Sequence, residues 1–158
     1  DGIVVVVEDF ADATIIAPQL HFHRLQTQLL GNDIWHEPTA IRSMRANERR
    51  YLEGAVFVSS FDQQAPSARR FTSAYRRRFG SDPGLAAYGY DAARLVIDGW
   101  QQGNRSRQAL SAWIAGRRNF DGASGNISFG DDRRTNSEFV LMRINKDGAL
   151  SEISVNTR

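Results

Sequence analysis

Two apolar runs near the start of the chain constrain its fold more than any other feature. Residues 3–7 form an unbroken β-branched run, IVVVV, and residues 28–30 form a shorter run about 25 residues later. Unbroken runs of this kind are typical of strands that are buried on both faces of a parallel sheet, and parallel neighbours need a crossover helix between them. The order therefore predicts a βαβ unit.

Acidic residues follow both runs. Glu8 and Asp9 come directly after the first run, and Asp33 follows the second. Open α/β sheets bind their ligands at the carboxyl ends of the strands, so we predict the functional centre at this edge. A competing interpretation makes Glu8 and Asp9 the cap of the following helix and makes Asp33 a turn residue.

The composition is that of an ordinary globular protein. The 158 residues are 41% hydrophobic and 24% charged, with a formal charge of +2. These values indicate one domain or at most two and argue against disorder. No apolar run approaches the ~18 residues of a membrane-spanning helix. The absence of cysteine excludes disulfides and thiolate metal sites.

The remainder of the chain predicts a third strand, three helices and a terminal set of strands. The predicted elements are a helix over 12–25 that Pro18 bends or delays, a strand over 55–59, helices over 66–79, 85–100 and 106–116, and strands over 126–129, 138–144 and 150–155. The helix over 85–100 carries apolar or small residues on nearly every face. We therefore expect it to be largely buried.

No catalytic, metal or nucleic-acid motif is recognised. The arginine-rich segments over 42–50 and 69–78 are interpreted as solvated helix faces, and the three histidines as surface residues. Motifs of serine hydrolases, phosphate loops and zinc proteases do not occur. The sequence therefore predicts neither an enzyme nor a bound metal or cofactor.

Five phrases of the sequence occur in an order that is characteristic of one family. They are DGIVVVVEDFADATIIAPQL, QLLGNDIW, RYLEGAVFVSSF, FTSAYRRRFGSDPGLAAYGYDAARLVIDG and FDGASGNISFGDDRRTNSEFVLMRINKDG. In this order they resemble the carboxyl-terminal half of the type I periplasmic substrate-binding proteins, the leucine/isoleucine/valine-binding group that serves ABC transporters. The resemblance implies a Venus-flytrap fold with two Rossmann-like lobes and a ligand between them.

The resemblance also implies how this chain divides. It implies an incomplete α/β fold in which residues 1–61 and 124–158 form a three-layer, Rossmann-like sheet portion that ends in antiparallel strands. Residues 62–123 would be a helical portion of the other lobe. Because the amino-terminal half of the family fold has no counterpart here, a homodimer, a swapped dimer or a missing amino-terminal fragment is expected to complete the protein.

Matched position by position, the resemblance implies a ligand site. Asp33 matches the acidic residue that neutralises a ligand ammonium, where the family usually has Glu, and Glu8 matches a pocket position that is often Tyr. Leu85 matches an apolar wall of the other lobe, and Trp35 would stack on the ligand or cover it, unless it packs under a loop. The predicted ligand-binding residues are Glu8, Asp9, Phe10, Asp33, Trp35 and Leu85.

By the same resemblance, the expected function is that of an extracytoplasmic solute-binding receptor of an ABC transporter. It would bind an amino acid or a similar small polar molecule and deliver it to a membrane permease, in the periplasm or tethered to the membrane through an absent amino terminus. The alternative is an envelope lipoprotein or sensor domain of the same fold. Such a domain, similar to penicillin-binding-protein activators, would act through protein contacts.

Overall fold

A computed structural model describes residues 1–61, 65–130, 132 and 135–153. The chain divides into two compact units, which we call unit 1 (Asp1–Ser59 with Val140–Arg158) and unit 2 (Ser60–Phe139). Residues 124–139, which the sequence assigned to the sheet portion, therefore cluster with the helices. The assignment of the two portions to particular lobes stays a prediction.

The elements follow the predicted order closely. The described strands are β1 (Gly2–Val5), β2 (Gln28–Gly31), β3 (Val56–Ser59), β4 (Phe120–Asp121), β5 (Asn126–Ile127), β6 (Val140–Ile144) and β7 (Leu150–Ile153). The described helices are α1 (Phe10–Phe22), α2 (Pro38–Ser43), α3 (Ala46–Arg49), α4 (Pro66–Phe79), α5 (Ala86–Gln101) and α6 (Arg107–Ala115), with a 3-10 helix at Asp33–Trp35. Residues 154 and 155 of the last predicted strand lie outside the described residues.

Unit 1 is built on a five-stranded sheet in the order β1-β2-β3-β6-β7. The first three strands are parallel, and β6 and β7 are antiparallel to their neighbours. The predicted βαβ unit is confirmed as β1, α1 and β2. The turn sequence Asn-Lys-Asp-Gly at residues 145–148 predicts a hairpin between the last two strands. This hairpin is confirmed, with Gly148 at a φ of +82° and its N–H bonded to the Asn145 carbonyl at 2.9 Å.

One face of this sheet forms the core of unit 1. Val5 and Val7 are buried there, together with the fully buried side chains Trp35, Ile41, Leu52, Phe57 and Ile144. The alternate residues of the first run point the other way, and Val4 and Val6 are 66% and 73% exposed. The expectation that this run is buried on both faces is therefore wrong, because nothing in the described part of the chain covers the second face of β1.

Helix α1 begins and ends earlier than predicted. Asp9, not Asp12, is its N-cap, and the Asp9 carboxylate accepts a 2.8 Å hydrogen bond from the Ala11 N–H. The helix continues through Pro18 and ends at Phe22. Arg24 then adopts a left-handed conformation with a φ of +58°, which does not continue a helix.

Two helices of unit 2 have the predicted limits. Helix α4 begins at Pro66 and is stopped by Gly80, which has a φ of +72°. Helix α6 is capped by Ser106, whose hydroxyl accepts a 3.1 Å hydrogen bond from the Ala109 N–H. Both limits depend on local chemistry that the sequence shows directly.

The remaining helix of this unit, α5, differs from the expectation. Only one stripe of α5 is buried, with a residue at every fourth position: Ala87, Asp91, Leu95 and Gly99. Val96, Ile97 and Trp100 are exposed. The prediction of a largely buried helix is therefore wrong for the described part of the chain. No described helix is long and apolar enough to cross a membrane.

Candidate functional site

Asn32 joins the carboxyl ends of β1 and β2. Its Oδ1 accepts a hydrogen bond from the Val7 N–H at 3.3 Å, and its Nδ2 donates to the Val7 carbonyl at 2.9 Å. The backbone register of the two strands ends earlier, at Val5 and Gly31. The Asn32 amide therefore continues the connection between the strands beyond their ladder and brings the following residues to the same edge.

Two of the predicted ligand carboxylates follow this connection directly. Glu8 is one residue beyond Val7, Asp33 is one residue beyond Asn32, and both side chains are exposed. An exposed carboxylate accepts hydrogen bonds from a cationic ligand group, which are stronger than bonds between neutral groups. The structure thus brings Glu8 and Asp33 to one edge of the sheet, as the sequence predicted, whereas their contact with a ligand stays a prediction.

Asp9 and Phe10 have structural roles. The Asp9 carboxylate is occupied by the cap of α1. The Phe10 ring is buried in the core, where its centroid lies 6.4 Å from that of Trp35 in an edge-to-face arrangement. This corrects the prediction that Phe10 contacts a ligand and confirms the capping interpretation for Asp9.

Trp35 is a core residue as well. Its side chain has no exposed surface, and it packs so closely on Gly31 that a Cβ atom there would lie 2.5 Å from the indole ring. A stacking role would require the indole to leave the core. The predicted stacking on a ligand is therefore corrected, and the alternative, packing under a loop, describes Trp35.

Leu85 belongs to unit 2, immediately before α5. Its side chain is 82% exposed, so it is available to a ligand or to another surface. Its predicted role as an apolar wall of the site stays a prediction.

His36 follows the 3-10 helix and is partly buried. Its Nδ1 lies 2.5 Å from the hydroxyl of Ser59, the last residue of β3, and its ring stands edge-on to Phe57 at 5.9 Å. Burial lowers the pKa of His36, because the charged imidazolium would lose hydration. The interpretation of His36 as a surface residue is therefore wrong.

Two residues that shape this edge, Asn32 and His36, carry no clear signal in the sequence. Asn32 follows the second apolar run almost directly, and an amide at such a position is well suited to bond the backbone of a neighbouring strand. His36 was grouped with the exposed His21 and His23. No pattern in the sequence indicates its contact with Ser59, which is 23 residues away.

A second candidate site lies elsewhere in unit 1. A cavity of about 680 Å³ opens at the opposite edge of the same sheet, where His21, Gln28, Arg50, Tyr51 and Glu53 line it. Its walls mix both charges and do not include the predicted ligand residues. Among the described residues, no group of three or more His, Asp or Glu side chains is arranged to hold a metal ion.

The arrangement defines a class of protein. A mixed sheet whose first three strands are parallel carries exposed carboxylates at the carboxyl ends of β1 and β2, which is the usual ligand edge of open α/β folds. These side chains can bind and orient a polar or cationic molecule. The class is therefore that of an open α/β fold with a polar candidate site at the carboxyl edge of its sheet.

The family is established by comparison with known proteins. A family model described as periplasmic binding protein matches residues 4–149, which is most of the chain. The chain belongs to this family. No curated protein matches the sequence.

Solved structures have the same fold. A leucine-binding protein, LivK, from Thermotoga maritima is 23% identical with a TM-score of 0.73, over 97% of this chain and 43% of that one. LivJ from Streptococcus pneumoniae, a branched-chain amino acid transporter substrate-binding protein in complex with isoleucine, is 23% identical with a TM-score of 0.68, over 97% and 44%. An ABC transporter substrate-binding protein from Desulfitobacterium hafniense in complex with leucine is 21% identical with a TM-score of 0.67, over 95% and 43%. This chain therefore spans less than half the length of these structures.

Proposed function

We propose that the protein carrying this chain is the solute-binding receptor of an ABC-type transporter and that its ligand is an amino acid or a similar small polar molecule. Membership of the periplasmic binding protein family supports this function. So do the similar structures, two of which were solved with isoleucine or leucine bound. In this proposal the protein works outside the cytoplasm and passes its ligand to a membrane permease.

The observation that carries the proposal is the exposed pair Glu8 and Asp33 at the end of the Asn32 connection. Asp33 receives the ammonium group of the ligand, and Glu8 adds a second negative charge at the same edge. A pair of carboxylates favours a ligand with more positive charge or more donors than a simple branched-chain amino acid. We therefore expect the preferred ligand to carry a second polar or cationic group. Leu85 remains the proposed apolar contact.

The first experiment is a thermal-shift screen of the protein that carries this chain against the common amino acids and small amides. A ligand that binds only the folded state raises the melting temperature, because it stabilises that state by RT ln(1 + [L]/Kd). Isothermal titration of the best ligands then gives Kd for the unaltered protein.

The second experiment replaces the proposed ammonium acceptor. A charge-assisted hydrogen bond contributes about 1.5–3 kcal/mol, so Asp33→Asn should raise Kd about 10- to 150-fold. Glu53→Gln is the matched control, because Glu53 is an exposed carboxylate just before β3, at the opposite edge of the sheet. An unchanged Kd in Asp33→Asn, or an equal loss in both variants, would contradict the proposed role of Asp33.

The alternative function is that of an envelope lipoprotein or sensor domain that contacts protein partners. The large apolar side chains exposed on both units, such as Val6 and Trp100, favour this alternative. The screen separates the two functions, since a complete protein that no small molecule stabilises would support the protein-contact function.

A further inference from the structure

The short segment that carries Asp33 is held to three different parts of unit 1. The 3-10 helix is only three residues long, Asp33–Trp35, and so short a helix has little stability of its own. Its position must therefore come from the contacts of its flanking residues. Those contacts determine where the Asp33 carboxylate lies.

The first contact is on the amino-terminal side, through Asn32. The side chain uses both its acceptor and its donor on the backbone of one residue, Val7. Two simultaneous bonds fix the orientation of the amide as well as its distance. Asn32 thereby ties the start of the segment to the end of β1.

The second contact is underneath, through Trp35. The indole is fully buried against Gly31 and stands edge-on to Phe10 of α1. The indole fills the space beneath the 3-10 helix, so the residues on either side of Trp35 cannot move toward the core.

The third contact is on the carboxyl-terminal side, through His36. Its ring nitrogen meets the Ser59 hydroxyl at the end of β3, and Ser59 is itself buried. The segment is thus held between β1 on one side and β3 on the other, with only the Asp33 and Ile34 side chains exposed.

From this geometry we infer that Asn32 and His36 are positioning residues that place the Asp33 carboxylate and so determine how strongly the site prefers a ligand with an ammonium group. The inference rests on the proposed function and deepens it. Asp33 has a single methylene between its backbone and its carboxylate, one fewer than Glu has. A shorter side chain has less freedom to adjust to the ligand, so its backbone must be held more accurately.

The test uses L-lysine, which carries the second cationic group that the carboxylate pair favours, and its 2-hydroxy analogue, which lacks only the α-ammonium group that Asp33 would contact. In the protein that carries this chain, Asn32→Ala and His36→Leu should each raise Kd for L-lysine at least tenfold and Kd for the analogue less than threefold. His36→Asn should restore most of the preference, because an amide can replace the imidazole Nδ1 toward Ser59. A variant that only destabilises the fold would weaken the binding of both ligands equally.

The matched control is Asn104→Ala. Asn104 also donates a side-chain hydrogen bond to the backbone, to the Gly99 carbonyl at 3.0 Å, but it lies in unit 2. Loss of this hydrogen bond in Asn104→Ala should leave the ratio of the two ligand affinities unchanged. The inference would be overturned if Asn32→Ala and His36→Leu lowered the affinity for both ligands equally, or lowered neither affinity.

A measurement without ligand separates this inference from the proposed function. Hydrogen–deuterium exchange at the Trp35 and His36 amides, which bond the Asn32 and Asp33 carbonyls, should become at least tenfold faster in both variants and stay unchanged in Asn104→Ala. If the unaltered protein binds neither L-lysine nor any other amino acid or amide of the screen, or if Asp33→Asn binds its ligand normally, the proposed function fails while the exchange result still decides whether Asn32 and His36 hold the segment. Unchanged exchange in both variants would overturn the positioning role.

Discussion

Asp91 shows how much one buried side chain contributes to unit 2. It is 2% exposed on α5, and its carboxylate accepts hydrogen bonds from the Ala123 N–H, the Ser124 N–H and the Ser124 hydroxyl at 2.5–2.8 Å. A Cβ atom at Gly122 would lie 2.7 Å from the same carboxylate. The Gly-Ala-Ser-Gly turn after β4 is therefore built around this one acid.

Replacing this acid should destabilise unit 2. Asp91→Asn keeps the size of the side chain but turns an NH₂ group toward N–H donors. Because buried donors then lose their acceptor, we expect a loss of about 1–3 kcal/mol in the free energy of unfolding, measured by urea denaturation. Asp98→Asn on the same helix is the control. Asp98 is part of a partly exposed pair with Arg94 at 3.9 Å, so its replacement should lower the free energy of unfolding by less than about 0.5 kcal/mol. Equal effects would contradict the role assigned to Asp91.

His36 should make the stability of unit 1 depend on pH. Burial holds the pKa of the folded state below the unfolded value of about 6.5. The unfolded chain then binds the proton more readily, so the stability is fully present above pH 6.5 and is lost as the pH falls toward the lowered pKa. The urea midpoint, followed from pH 7.5 to about pH 5, should fall less steeply in His36→Asn than in the unaltered protein. His23→Asn, at an exposed position, should follow the unaltered profile, and a profile unchanged by His36→Asn would contradict the prediction.

At the scale of elements, α5 and α6 meet through a glycine. A Cβ atom at Gly99 would lie 2.5 Å from the Leu110 side chain and 2.8 Å from the Trp113 ring, whereas a Cβ atom at Gly89 would meet no described residue within 4 Å. Both glycines are interior to the same helix. They differ only in what faces them.

This pair of glycines predicts opposite effects of the same substitution. Gly99→Ala should lower the free energy of unfolding by about 1–3 kcal/mol, because the added methyl overpacks the contact with α6. Gly89→Ala should raise it by about 0.5–1 kcal/mol, since alanine favours the helix over the flexible unfolded chain. Chemical denaturation of the two variants checks both signs. A stabilising Gly99→Ala would show that the close contact between α5 and α6 is wrong.

The limits of the helices could be predicted from the sequence, whereas their burial could not. The limits of α4 and α6 follow from Pro66, Gly80, Ser106 and Gly116, because caps and stops act within one turn of the helix. The burial of α5 could not be predicted in this way. An apolar residue on a helix face indicates that the face can be buried, but a second element must be present to cover it.

At the scale of the whole molecule, the chain carries uncovered apolar surface on each unit. Val4 and Val6 stand on the open face of β1, and Val96, Ile97 and Trp100 stand on α5. Apolar surface of this kind associates in water. The chain also spans only about 43% of the length of LivK, whose fold it shares.

We therefore expect the 158-residue chain to self-associate when it is produced on its own, as a homodimer or swapped dimer, unless a companion fragment covers these faces. Sedimentation velocity should show dimers or larger species whose fraction rises with concentration. Val4→Thr with Val6→Thr should reduce this fraction while changing the free energy of unfolding by less than about 0.5 kcal/mol per site, because both side chains are exposed. A monomer at the highest soluble concentration would contradict the prediction.

The sequence by itself determined the βαβ start, the strand and helix order, the hairpin at Asn145 and the acidic character of the sheet edge. These features depend on neighbouring residues, on caps and turns and on the period of apolar side chains, all of which can be read along the chain. Only the tertiary structure decided that Trp35 is part of the core, that Asp9 is used as a cap, and that Asn32 and His36 hold the segment carrying Asp33. Each of these depends on groups far apart in sequence, such as Asn32 with Val7 or His36 with Ser59, and such contacts exist only once the sheet has brought its strands together.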